Sequence, residues 1–130
     1  MRYRELGRTG LRVSQLCFGA LTIGPLQRNL SPEEGSAVLL RALELGVNFV
    51  DTAEIYDTYD HIRLALERFP GRGQVVVATK SYAYTRAGVG ASLEGARRGW
   101  GREVVPICLR HEQDSSDARR GQWASWDERA

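Results

Sequence analysis

Two periods of apolar spacing alternate along this chain, one suited to strands and one to helices. Segments such as "QVVVATK" are short and almost continuously apolar, whereas "SPEEGSAVLLRALELG" places its apolar residues three and four apart. The second segment predicts a helix with explicit ends. Ser31 stands at the N-cap, Pro32 at the first helical position, Glu34 completes a capping box, and Gly46 stops it. Val38, Leu39, Ala42 and Leu45 fall at helical spacing and form its expected apolar stripe.

The alternation then repeats. "VNFV" predicts a strand, "YDHIRLALERF" a helix ended by Pro-Gly, and "QVVVATK" a second strand. "RAGVGASLEGARRGW" predicts a weaker helix with Val89, Leu93, Ala96 and Trp100 along one stripe, and "VVPICL" the last strand. Each interior glycine of that helix is expected to cost roughly 1 kcal/mol relative to alanine. Upstream, "YRELGRTGLRVSQL" reads as a hairpin around a Gly-Arg-Thr-Gly turn, followed by a strand in "QLCFG" and a loop in "GALTIGP". Strand-helix units of roughly thirty residues predict a parallel sheet or a (β/α) barrel. Near-continuous apolar strands fit a sheet covered on both faces.

Three strands end on a polar residue: Asp51, Lys80 and His111. Alternation puts Asp51 on the side of Phe49, Lys80 on that of Ala78 and Val76, and His111 on that of Leu109 and Ile107. In a barrel these are interior positions at the carboxyl end, where such enzymes keep their reacting groups. The loop after the first of these strands adds Tyr56.

Composition narrows the partners. The chain has 130 residues, 42% hydrophobic and 26% charged, and a net charge of +2 with no basic stripe. This suits one soluble, cytoplasmic domain and gives no reason to expect nucleic acid or membrane as a partner. No apolar run approaches a membrane span, and no leader-like segment opens the chain. Cys17 and Cys108 are read as buried small hydrophobes, and the spacing of Cys and His predicts no metal site. Of the 18 basic side chains, all but Lys80 are arginine. Lysine is a compact, tunable point charge, unlike the planar guanidinium, so its single use draws attention to position 80.

A tyrosine, reference pKa about 10, is a poor acid at neutral pH, and a nearby ammonium favours its phenolate. Asp51 would hold Lys80 protonated and oriented, and His111 could orient a substrate oxygen or share the proton. The set suits protonation of a carbonyl oxygen while a nicotinamide delivers hydride to carbon, since no side chain can. Each residue also has a plainer reading: Asp51 as a helix cap, Tyr56 as a loop aromatic, Lys80 as a solvated charge, His111 as a strand-end histidine. Tyr59, Tyr82 and Tyr84 compete for the acid role. A Schiff base on Lys80 is a further alternative.

The order of these segments resembles the aldo/keto reductase family. "MRYRELGRTGLRVSQLCFGALTIG" is similar to the family's opening, and "NFVDTAEIY", "VVVATKSYAY" and "LRHEQDS" are similar to its Asp-Tyr, Lys and His segments. The resemblance implies a (β/α)8 barrel of TIM type and NADP(H)-dependent reduction of aldehydes or ketones to alcohols. It makes Tyr56 the proton donor, Lys80 and Asp51 its tuning pair, and His111 the carbonyl-orienting group. It places Ala20, Leu21 and Asp51 against the cofactor.

The resemblance covers residues 1–115, about four β/α units plus the amino-terminal hairpin. Typical barrels of this type run to about 250 residues. The chain is therefore expected to be an amino-terminal fragment lacking most of its cofactor contacts, with 116–130 an atypical, poorly ordered polar tail. A non-catalytic barrel remnant or interaction module is the alternative. Pro106 within "VVPICL" cannot donate to a ladder, and Arg110 points toward the helix layer as an expected unpaired charge.

Overall fold

The computed structural model describes residues 1–111. Its first element is an antiparallel hairpin, β1 (Tyr3–Glu5) and β2 (Arg12–Ser14), with Gly7 and Gly10 at positive φ in the turn. A four-stranded sheet follows, built from β3 (Phe18–Gly19), β4 (Phe49–Asp51), β5 (Val76–Ser81) and β6 (Ile107–Arg110). The strands lie in sequence order and every pairing is parallel. Helices α1 (Pro32–Glu44), α2 (Tyr59–Arg68) and α3 (Arg86–Trp100) connect them. These are successive β/α units of an α/β fold with an antiparallel hairpin in front.

The capping box of α1 forms as its sequence predicts. Ser31 Oγ accepts from the Glu34 N–H, and the Glu34 carboxylate accepts from the Ser31 N–H at 3.0 Å. The bonds that this carboxylate accepts from the Ser31 N–H and from the Ser31 hydroxyl hold it below its ordinary range. Gly46, at φ 95°, ends the helical turn.

Register sorts the sheet into two faces. Phe18, Val50 and Val77 lie in line and pack against Leu39, Leu43, Ile62, Ala65, Leu66, Ala96 and Trp100 of the helices. Tyr59 closes this core, edge-on to Trp100 at 5.3 Å between ring centres. Gly99 permits that approach, since a Cβ there would fall 2.6 Å from the Tyr59 ring. Opposite lie Gly19, Asp51, Ala78 and Ile107 in one row, with Lys80 beside Leu109 in the next. Leu109 is 49% exposed, and Phe49 and Ile107 are only partly covered, so this concave face is open toward β6.

Several expectations need correction. Of the α1 stripe, Leu39 is buried, while Val38 and Leu45 are exposed; Leu43 takes the second core position. The last strand begins at Ile107, so Pro106 precedes the ladder rather than interrupting it. Arg110 is not an isolated charge, because its guanidinium lies over the Tyr84 ring, 4.7 Å from the centre. Cys17 is exposed and Cys108 only partly covered, since β3 and β6 are the two margins of the sheet. The tail expected at 116–130 lies outside the described residues.

Candidate active site

The carboxyl ends of β4, β5 and β6 bring three of the four polar residues together, and the loop after β4 adds the fourth. Lys80 Nζ donates to Asp51 Oδ2 at 2.7 Å and to the Thr52 carbonyl at 2.8 Å. This pair forms because adjacent parallel strands place Asp51 and Lys80 on the same face, two residues apart in register. The Lys80 side chain is 15% exposed and that of Asp51 35%, so the ammonium is the more enclosed partner. Asp51 thus serves a cation and not the following helix: α2 has Thr58 at its N-cap.

Tyr56 closes over the pair. Lys80 Nζ lies 5.0 Å from the centre of its ring, and its hydroxyl is 3.4 Å from His111 Nε2. The two rings meet edge to face, 5.6 Å between centres. The His111 backbone N–H donates to the Ser81 carbonyl at 2.9 Å, extending the β5–β6 ladder by one residue and fixing the imidazole over the site. Tyr82 also packs against His111, tilted, with 4.7 Å between ring centres.

The turn carrying Tyr56 (Glu54–Tyr56) is held at several points that the sequence pattern did not signal. The Thr52 and Thr58 hydroxyls, both buried, bond across it at 2.8 Å. Ser81, Ser92 and Glu54 form a relay, Ser92 Oγ meeting Ser81 Oγ at 2.8 Å and donating to Glu54 Oε2 at 2.9 Å. Gly24 lets the loop after β3 come close, because a Cβ there would fall 2.6 Å from the Tyr56 carbonyl. Hydroxyl pairs separated by 6 and 11 residues have no period of their own; only the fold makes them neighbours.

Two of the competing tyrosines are elsewhere, and the third, Tyr82, is the ring already described beside His111. Tyr59 points into the helix layer and bonds Thr79 Oγ1 at 2.9 Å, and its burial there raises its phenol pKa. Tyr84 lies beneath Arg110. Ala20 is fully buried in the core, backbone included, while Leu21 beside it is partly open. A Cβ on Gly19, in register with Asp51, would meet nothing within 4 Å, leaving space above this corner of the sheet.

Cys17 also reaches the site. Burial pushes its thiol up to about 11, the Asp51 carboxylate adds to that, and Lys80 and the Asp51 backbone N–H oppose it. The residue lies exposed at the β3 margin of the sheet. Two clefts of about 360 and 600 Å³ lie at the other end of the sheet, around Trp100 and Arg102 and beneath the hairpin. Neither touches the polar quartet.

Parallel β/α units with a Lys-Asp pair, a tyrosine and a histidine at the carboxyl end define a barrel-type α/β protein with a polar cluster at its mouth. The chain belongs to the aldo/keto reductase family, whose sequence profile matches residues 15–126. It is similar to a rice protein (Oryza sativa subsp. japonica) described as "Probable voltage-gated potassium channel subunit beta", 33% identical over 130 residues, 89% of this chain and 39% of that one. It is similar also to the aldo-keto reductase dtxS3 of Metarhizium robertsii, 38% identical over 87 residues, 62% of this chain and 24% of that one. Among solved structures it matches the thermostable aldo-keto reductase Tm1743, in complex with the inhibitor epalrestat, with TM-score 0.78 and 27% identity over 95% of this chain and 50% of the other. The chain thus spans less than half the length of these curated relatives, and its β/α units correspond to about half of the solved barrel.

Proposed function

We propose that the quartet is the proton-delivering half of a carbonyl reductase site, acting with NADP(H) on an aldehyde or ketone. The observation that carries this reading is the Asp51–Lys80 pair beneath Tyr56, with His111 3.4 Å from the same hydroxyl. A carbonyl oxygen seated between Tyr56 and His111 would accept the phenol proton as charge develops on it. The Lys80 ammonium would stabilise the negative charge left on the phenol, and Asp51 would keep that ammonium charged and aimed. His111 would orient the carbonyl through Nε2.

The open corner above Gly19 suits the reacting end of a dinucleotide, with Leu21 and the Asp51 carboxylate against it and Ala20 packed beneath them. When bound, the nicotinamide supplies the hydride. Two donors of Lys80 are already engaged by Asp51 and Thr52, which supports a charge-stabilising amine over a nucleophilic one.

The test is a barrel in which residues 1–111 are joined to the second half of a solved relative and assayed by loss of NADPH absorbance. Tyr56→Phe should lower kcat by about 10²–10⁴-fold, the usual worth of general acid catalysis. NADPH affinity should stay within about twofold. Turnover close to that of the unsubstituted barrel would reassign the proton donor. A second reading, a non-catalytic interaction module, is favoured by the open concave face around Leu109. NADPH fluorescence titrated with the 130-residue chain separates the two: quenching supports a working site, and an unchanged signal supports the module.

A further inference from the structure

The cleft of about 360 Å³ at the far end of the sheet from the quartet is walled by α2, the turn Arg72–Gln74 and the carboxyl end of α3. All three walls lie among the described residues. Three arginines line the cleft, and Arg63 is paired with Asp60 at 3.1 Å and Glu67 at 3.0 Å. Among the described residues, no carboxylate pairs with the other two, Arg72 and Arg102. Gly101, at φ 70°, turns the chain out of α3, and Arg102 reaches back so that its Nη1 donates to the Val75 carbonyl at 2.6 Å. That bond fixes the guanidinium without neutralising it. Burial, and next the Arg72 charge, push the Arg102 guanidinium below its ordinary range. Trp100, 2% exposed, belongs to the same wall, and its buried Nε1–H has no acceptor among the described residues.

Arginines at helix carboxyl ends ordinarily answer the partial negative charge there. Arg72 belongs to no α-helix, and Arg102 is directed at the entry to β5, so that reading leaves two like charges sharing a cleft without a counter-charge. An anion between them relieves both the repulsion and the desolvation. We propose that this cleft binds a phosphate-type oxyanion between the guanidiniums of Arg72 and Arg102. A guanidinium is a planar fork of donors that accepts nothing, and a tetrahedral oxyanion presents oxygens to two forks at once. Of the two carboxylates in the lining, Glu67 is held by Arg63, and Glu103 is exposed and opposes the anion from the rim. Free phosphate and the phosphoryl end of a phosphomonoester share this chemistry, and the cleft has the size of a small-molecule site.

The inference is independent of the carbonyl chemistry of the quartet. The test is 15N NMR of the 130-residue chain, titrated with inorganic phosphate or glycerol 3-phosphate at an ionic strength held constant with sodium chloride. The Trp100 indole N–H, assigned with the help of Trp123→Phe and Trp126→Phe, and the Arg102 Nε–H should shift along saturable curves. Equal dissociation constants for the two probes identify a free-ion site, and tighter binding of the ester a site for the whole phosphomonoester; both support the proposal. Arg72→Gln removes an exposed charge, so helical circular dichroism should be kept while the dissociation constant rises about tenfold or more. Glu103→Gln removes the opposing charge and should lower that constant roughly twofold or more. Shifts that never saturate, shifts that sodium chloride alone reproduces, or constants indifferent to either substitution overturn the proposal. So does a chain unfolded with and without the probes, since the cleft is then no feature of the protein.

Discussion

At the scale of single residues, Cys17 reports on the charge beneath Tyr56. Its thiol is pushed from an ordinary value of 9.0 to about 11, chiefly by burial and next by the Asp51 carboxylate. Alkylation at Cys17, followed by mass spectrometry, should be slow at pH 8 and rise with an inflection near 11; in urea the inflection should return to near 9. The folded chain keeps a proton that the unfolded chain releases in this window. Stability from this group is therefore complete below about pH 9 and is lost as pH climbs through 11. A folded-state inflection at 9 would mean the sulfur lies away from β4. The residue types were legible in sequence, since one lysine and three polar strand ends stand out. The sulfur's position was not, because an apolar neighbourhood in sequence does not say which strand is a margin.

Among the elements, α3 joins compensated and uncompensated glycines. Gly99 makes room for the Tyr59 ring, whereas a Cβ on Gly90 would meet nothing within 4 Å. Gly90→Ala should therefore stabilise the chain by about 1 kcal/mol, through helix propensity and a less free unfolded state. In a thermal melt this should appear as a rise of roughly 4 °C, and no rise would mean that α3 is not helical at that point in solution. Among the described residues, spacing and turn signals found the three α-helices and six strands but not the short 3-10 turns, and parity placed Asp51 and Lys80 on one face. Periodicity erred on Val38 and Leu45 for a physical reason. Spacing shows that a stripe is apolar, while burial depends on which side of it the sheet and α2 cover, and they cover Leu39 and Leu43.

For the whole molecule, long-range order at the amino end of the sheet rests on one side chain that no motif announced. Asn48 Oδ1 accepts from the Ser14 N–H at 2.6 Å, and its Nδ2 donates to the carbonyls of Arg12 at 3.0 Å and Gln74 at 3.2 Å. Its own backbone N–H donates to Ser14 Oγ at 3.1 Å. One residue thus joins the hairpin, the entry to β4 and the entry to β5, segments that are 34 and 26 residues away. Tyr3 adds a second tie through its hydroxyl to the Gly46 carbonyl at 2.8 Å. Asn48→Ala removes three of these bonds and leaves the partly buried Ser14 N–H unsatisfied, which should cost about 1–3 kcal/mol. The loss should be local first. Amides of β1 and β2 should exchange quickly while those of α2 and β5, tied by the Leu66, Val77 and Trp100 core, stay protected. Uniform loss of protection would instead mean that the hairpin is part of the cooperative unit, and that the half-barrel cannot hold its β4–β5 register, or the Asp51–Lys80 pair that register creates, without it.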